Sequence, residues 1–336
     1  MTLVLFLIQG PQLPSSRVRV LNLLHELHAH GLQTQVIRYP NSWRERLGLL
    51  PECRRADVVV IQKTLISPIF LQLFRLASQR LIYDFDDAVY LRHDSAANIN
   101  SRSRMRKFAA TARQVDLVIA GNDLLAKQAR QFNNNVVVLP SAVETRGVPT
   151  RDYSRNGDRK IIGWVGGRNN LPHLQQAAPV LARLAAKYPI ELRILSSEGI
   201  DMPGVNTRFI PWQLETQDAE IAQFDIGIMP LPDTPHTRGK CGYKALQYMA
   251  AAVVPVVSNV GTNAQVFKNG EEGLATNNDE EMLQALTTLI EDPELCRTMG
   301  LRARRRVEQD HAVEVIGSRL AGIIQRQLCE DKNIVQ

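Results

Sequence analysis

The sequence predicts an α/β protein of two doubly wound parallel sheets in tandem. The chain has 336 residues, enough for two domains with cores of their own. Apolar runs of strand length alternate with helical periodicity from the first residues onward. The alternation breaks between Ser141 and Lys160, where the chain is polar, aperiodic and rich in Pro, Gly, Arg and Asp, and then restarts. The predicted division is a first domain over 1–145, a linker over 146–159, a second domain over 160–320 and a helix end or tail over 321–336.

In the first domain, Leu3 to Ile8 has the length and apolarity of a buried strand. A helix follows over Arg17 to His30, with Val18, Leu21, Leu24 and Leu27 on one side and Gly31 as its stop. Strands fall at Thr34 to Arg38, Asp57 to Gln62, Arg80 to Asp84, Asp116 to Ala120 and Val136 to Leu139, with helical segments between most of them. In the second domain, Ile161 to Val165 is a strand and Gly166 and Gly167 form a tight loop. Pro172 stands near the first position of a helix running to about Lys187, where a missing N–H is tolerated. Strands recur at Glu191 to Leu195, Asp225 to Met229, Val254 to Ser258 and Gly273 to Thr276, and from Glu280 on the pattern is helical. Sheets of this kind bind ligands at the carboxyl ends of their strands.

A hydrophobic share of 44% and a charged share of 22% are those of an ordinary globular chain, which excludes a disordered or fibrous protein. Leu3 to Ile8 is far shorter than the roughly 20 residues of a membrane span and lacks a preceding basic region, so a cytoplasmic protein is expected. Cys53, Cys241, Cys296 and Cys329 are scattered, without the spacing of a zinc site or a disulfide framework, and no bound metal is expected. Residues 1–150 hold 19 Lys and Arg against 11 Asp and Glu, whereas 151–336 hold 21 against 23. The first half therefore faces something anionic. No nucleic-acid-binding pattern accompanies the charge, so nucleic acid is not expected as a partner.

The most informative stretch, MPLPDTPHTRGKCGYKALQYMAAAVVPVVSNVG, begins at the end of a strand at Met229 and passes through a loop into a helix near Cys241. Gly239, Lys240, Cys241 and Gly242 then lie at a helix N-terminus, where free N–H groups and the helix dipole favour an anion and Lys240 and Lys244 add full charges. A glycine-rich turn with solvated lysines fits the same residues.

This stretch resembles the donor-binding region of the family-4 retaining glycosyltransferases of the GT-B fold. Ser15 to Arg19 after the first strand, YDFDDAVY at 83–90, IGWVGG at 162–167, FDIGIMPLPD at 224–233 and Met299-Gly300 agree with it, in order, over about residues 3–320. The resemblance implies two Rossmann-like domains and transfer of a sugar from a nucleotide diphosphate sugar to a hydroxyl of a lipid-linked or surface-polysaccharide acceptor. It also implies retention of anomeric configuration, and no cofactor beyond the donor itself. Many members place two glutamates eight positions apart around the loop. Here Gln247 takes the second position, facing the ribose, and Gly239 the first, where no side chain reaches the sugar. The diphosphate clamp falls to Arg168 after Gly166 and Gly167, with His173 where a lysine is usual and Lys240 or Lys244 in its stead. Trp212 is placed to line the base pocket or to fill a core.

Asp84, Asp86 and Asp87 form a DxDD run that in other contexts holds a divalent cation. Here Asp86 and Asp87 are expected on the acceptor side with Ser16, Arg17 and His93, one of them orienting an acceptor hydroxyl. Helix capping fits the aspartates equally, and a plain surface position fits His93 better than a sugar contact, since its spacing does not match that of the family's cleft histidine. Two basic amphipathic elements, Ser101 to Arg113 and Asn41 to Arg55, suit an anionic membrane surface and make peripheral attachment at the inner face an expectation, with a core helix carrying a solvated face as the alternative. An epimerase of the same fold and a non-catalytic nucleotide-sugar-binding partner remain the competing readings.

Overall fold

The apolar runs form strands of two six-stranded sheets in the computed structural model, which describes residues 2–155, 157 and 159–329. The first sheet contains β1 (Thr2–Ile8), β2 (Leu32–Arg38), β3 (Val58–Gln62), β4 (Arg80–Phe85), β5 (Leu117–Ala120) and β6 (Val136–Val138), all parallel, in the order β2-β1-β3-β4-β5-β6. The second contains β7 (Lys160–Val165), β8 (Ile190–Ser196), β9 (Thr207–Pro211), β10 (Ile226–Met229), β11 (Val254–Ser258) and β12 (Leu274–Thr276), in the order β12-β11-β10-β7-β8-β9, again all parallel. Both sheets wind outward in two directions from their first strand. That puts a switch point between β1 and β3 in one and between β7 and β10 in the other.

The chain folds into two units that do not follow the predicted cuts. Among the described residues, one unit comprises 2–142, 234–241 and 313–329, and the other those within 143–233 and 242–312. Two expectations are corrected by this. The helix Val313–Cys329, placed by sequence at the end of the second domain, packs in the first unit, where Val313, Ile316, Leu320 and Ile324 share a core with Val4, Phe6, Leu27 and Leu117. Gly317 permits this approach, since a Cβ there would stand 2.5 Å from Cβ of Glu26. The predicted linker is fastened to the second unit. Arg151 pairs with Asp225 and lies over the Tyr153 ring, and the Tyr153 hydroxyl donates to the Ala252 carbonyl at 2.6 Å. Of the predicted tail, 330–336 lie outside the described residues.

Strand β9 lacks a sequence signal, because it is a half-exposed edge of Thr-Arg-Phe-Ile-Pro. The helix expected over Arg17 to His30 is broken into Pro14–Arg19, a 3-10 turn Leu21–Leu23, and Leu24–Ala29. That from Pro172 breaks into Leu171–Gln175 and Ala178–Ala185, because Pro179 cannot continue the hydrogen-bond ladder.

Candidate functional site

In the second unit the switch point lies at the carboxyl ends of β7 and β10. Gly166 and Gly167 leave β7 there, followed by Arg168 in a 3-10 turn Arg168–Asn170. Gly166 must be glycine for a steric reason: a Cβ would meet the fully buried Trp164 ring at 2.5 Å and the Lys244 ammonium at 2.9 Å. The Lys244 Nζ sits 4.2 Å from the Trp164 ring centroid, held over an aromatic face. Lys244 belongs to the first turn of the helix Tyr243–Ala250, whose preceding residue, Gly242, is left-handed with φ of 66° and donates its N–H to Asn263 Oδ1 at 3.0 Å. A charge, the N-terminus of a helix and a side-chain-free loop thus meet at one strand end, an arrangement that suits an anionic ligand.

Gln247 is buried on the same helix and its Nε2 donates to Gln217 Oε1 at 3.3 Å. The same oxygen accepts from Trp212 Nε1 at 3.1 Å, so Gln217 ties Trp212 and Gln247 together. Nothing in the sequence singled out Gln217, a residue at the start of an ordinary five-residue helix Gln217–Ile221. Arg168 is largely exposed and pairs with Glu198 at 3.2 Å. His173, in the position of the usual lysine, is buried.

The rest of the predicted donor loop is divided from this helix by unit. Gly239, Lys240 and Cys241 belong to the first unit, not to the helix that follows them. Asn122 Nδ2 donates to the Gly239 and Lys240 carbonyls at 3.2 and 3.1 Å, while its Oδ1 caps the helix Asp123–Ala129. Cys241 Sγ donates to the Asp86 carbonyl at 3.3 Å, and burial raises its pKa well above the usual thiol range. A Cβ on Gly239 would fall 2.9 Å from that of Ala88.

The aspartates of the DxDD run divide into two roles. Asp84 is buried with Arg19, which donates to both of its oxygens and, through Nη1, to the Leu139 and Pro140 carbonyls at 2.6 and 3.0 Å. Burial opposes the Arg19 charge, but the carboxylate beside it carries the guanidinium pKa above its ordinary value. Asp84 is therefore a structural anchor. Asp86 and Asp87 share Lys63, whose Nζ is 3.0 Å from an oxygen of each. Lys63 follows β3 in a left-handed conformation with φ of 58°, unusual for a residue with a side chain. Strain of this sort costs about 1–3 kcal/mol and collects where a side chain must be aimed. A polar chain completes the arrangement: Ser16 Oγ donates to Gln62 Oε1 at 3.1 Å, Gln62 Nε2 to Ser15 Oγ at 2.9 Å, and Ser15 Oγ to Asp86 at 2.7 Å. Arg17 stands half-buried beside it. Sequence reasoning placed Ser16, Arg17 and Asp86 together but missed Lys63 and Gln62, whose signal was only their place at the end of a buried strand.

His93 is not isolated. Its ring lies 4.9 Å from that of His236, and its Nδ1 is 2.8 Å from Asp94. Burial and Lys240 lower the His236 pKa, which keeps that ring neutral at neutral pH. Among the described residues no group of three or more His, Cys, Asp or Glu is arranged to hold a metal ion, and no helix is long and apolar enough to cross a membrane.

Residues 159–292 match the model of the family described as glycosyl transferases group 1. No curated protein sequence matches the chain. Among solved structures, it resembles a sucrose-phosphate synthase from Thermosynechococcus elongatus, with a TM-score of 0.76 and 14% identity over 98% of this chain and 100% of that one. It also resembles Anabaena HepE in complex with UDP and glucose, with a TM-score of 0.72 and 14% identity over 97% and 100% of the two chains. A third is the lipopolysaccharide outer core galactosyltransferase WaaB, with a TM-score of 0.67 and 13% identity over 97% and 100%. The shared fold is GT-B, two parallel six-stranded sheets with flanking helices.

Proposed function

We propose, for a chain whose residues 159–292 carry the glycosyl transferases group 1 domain, that it transfers a sugar from a nucleotide diphosphate sugar to an acceptor hydroxyl. The observation that carries this reading is the strand-end arrangement of the second unit, where Lys244 is held over Trp164 beside Gly166 and the N-terminus of Tyr243–Ala250. HepE, with UDP and glucose bound, lends it support from the fold. In this reading Lys244, the helix N–H groups and Arg168 meet the diphosphate, Gly166, Gly167 and Gly242 let it approach, and Gln247 and Trp212, tied by Gln217, meet the nucleoside. Within the first unit Asp87 orients the acceptor hydroxyl, and Lys240 adds positive charge beside it.

The reaction breaks the bond from the anomeric carbon to the diphosphate oxygen and forms one to the acceptor oxygen on the same face, so configuration is retained. The acceptor proton ends on the departing diphosphate. No nucleophile from the protein is required, and the protein's work is to stabilise charge on the leaving group. The reading is metal-independent, and the engagement of Asp84 by Arg19 and of Asp86 and Asp87 by Lys63 favours that. The acceptor is lipid-linked or a surface polysaccharide. The first unit carries 23 Lys and Arg against 13 Asp and Glu, and Trp43 is 59% exposed, both of which suit an anionic membrane surface.

The test is incubation with a panel of nucleotide sugars, with chromatography of products. Slow hydrolysis or transfer, with release of the nucleoside diphosphate, supports the reading. Interconversion of the sugars would make the protein an epimerase, and binding without turnover a non-catalytic partner.

A further inference from the structure

The first unit holds a cavity of about 460 Å³, within the about 300–1,000 Å³ of small-ligand sites. It opens at the carboxyl ends of β1, β3 and β4, the switch point of that sheet, where Gln9, Lys63 and Asp87 follow the three strands. The position is the one at which a doubly wound sheet takes a ligand.

Its charges are uneven. Lys63 is already neutralised, since it lies between Asp86 and Asp87. Two further cations line the wall, Arg104 and Lys107, three residues apart on the helix Arg102–Gln114 and so on one face of it. Arg104 Nη1 donates to the Val89 carbonyl at 2.9 Å, which fixes its guanidinium at the rim. Among the described residues neither Arg104 nor Lys107 is ion-paired. The remaining wall sets apolar Leu65, Ala88, Val89 and Leu91 beside polar Gln9, His93 and Ser103, and burial lowers the His236 pKa. A guest with an anionic group would give Arg104 and Lys107 the counter-charge that the wall does not supply in an ion pair.

We infer that this cavity takes a molecule carrying a phosphate or carboxylate, gripped by Arg104 and Lys107, with an apolar or sugar-ring face against Val89 and Leu91 and a hydroxyl toward Asp87. Arg104 is the better half of the grip, because its planar fork matches such an anion through two parallel hydrogen bonds. As a statement about the acceptor, this rests on the sugar-transfer reading: the acceptor is anionic. As a statement about binding it stands apart from that reading. The sequence reading treated Ser101 to Arg113 as one element, facing a membrane or capping a core; the place of Lys107 in the cavity wall gives it a different ligand.

Calorimetric titration with glucose 6-phosphate and with glucose tests it, on the full chain and on R104Q/K107Q, with R104K/K107R as the charge-preserving control. Glucose 6-phosphate should bind at least about tenfold more tightly than glucose. R104Q/K107Q should lose at least about tenfold of that affinity with an unchanged melting temperature, and R104K/K107R should keep most of it. Farnesyl phosphate in phosphatidylcholine vesicles, read by cosedimentation, separates the sources: capture that R104Q/K107Q abolishes assigns a lipid-borne phosphate, and binding of glucose 6-phosphate alone assigns a soluble one. Equal affinity for glucose and glucose 6-phosphate, or an unaffected R104Q/K107Q, overturns the inference, as does binding of neither phosphate. Anion binding without turnover of any nucleotide sugar would retire the sugar-transfer reading and leave the cavity assignment intact; turnover without anion binding would do the reverse.

Discussion

Replacing Asp84 with asparagine separates two roles that a DxDD run allows. In the structure Asp84 is 4% exposed and Arg19 3%, and the guanidinium spends its donors on Asp84 and on the Leu139 and Pro140 carbonyls. The amide would keep the shape of the carboxylate but leave a buried cation without its counter-charge. Removing one partner of a buried pair costs about 3–5 kcal/mol. For a unit of this size, each kcal/mol moves the melting temperature by roughly 2–4 °C, so Asp84→Asn should lower the transition by about 6–20 °C. The pair R19M/D84L, which removes both charges and restores apolar volume, should recover most of that loss. Differential scanning calorimetry with and without EDTA, and with added Mn²⁺, is the assay. A single variant within about 1 °C of the parent, or a parent whose transition rises steeply with Mn²⁺ and falls in EDTA, would refute the anchor role and return Asp84 to metal ligation.

Lys244→Ala and Arg168→Ala should each lower turnover of the nucleotide sugar by about 10²-fold, as loss of one transition-state charge contact does, and a steady-state assay showing full activity in both would remove them from the diphosphate clamp. Burial pushes the Asp87 carboxyl up, but Lys63 and Lys240 outweigh it and hold its pKa below the usual 3.8. Its contribution to stability is therefore complete above that unfolded value and is lost as pH falls through the lower folded one, so Asp87→Asn should flatten melting temperature against pH below about pH 4 and nowhere else. Burial raises the thiol pKa values of Cys53 and Cys296 to about 11, and also that of Cys241, whereas Cys329 is exposed. Thiol labelling of the native protein at pH 8 should modify Cys329 first by a wide margin. Exposed Arg102, Arg106 and Arg113, replaced by Ser, should cut partitioning to phosphatidylglycerol-containing liposomes by about 10²-fold at about 1 kcal/mol per cation; equal sedimentation with neutral and anionic liposomes would end the membrane assignment.

The sheets were legible in the sequence because a parallel strand covered on both faces leaves an uninterrupted apolar run, as in Val58–Gln62 and Val254–Ser258. Thr207–Pro211 escaped notice because an edge strand needs no such run. Gly166, Gly167, Gly242 and Lys244 stood out because phosphate chemistry restricts residue type within a short segment. Gln217 and Lys63 could not, since each acts through partners 30 and 24 residues away, at Gln247 and Asp87, and local pattern carries no trace of those distances. The same holds for the helix Val313–Cys329: its apolar stripe declares that it is covered, and says nothing of which sheet covers it.

That helix sets a timetable for synthesis. By residue 142 the ribosome has produced all six strands of the first sheet, but the helix that covers one side of its core begins only at Val313. At roughly 5–20 residues per second, the intervening stretch takes on the order of ten to thirty seconds to translate. Throughout that interval Val4, Phe6, Leu27 and Leu117 lack their final neighbours. The nascent chain thus offers chaperones an apolar face that the finished protein no longer has, and the first unit to be translated is the last to be completed.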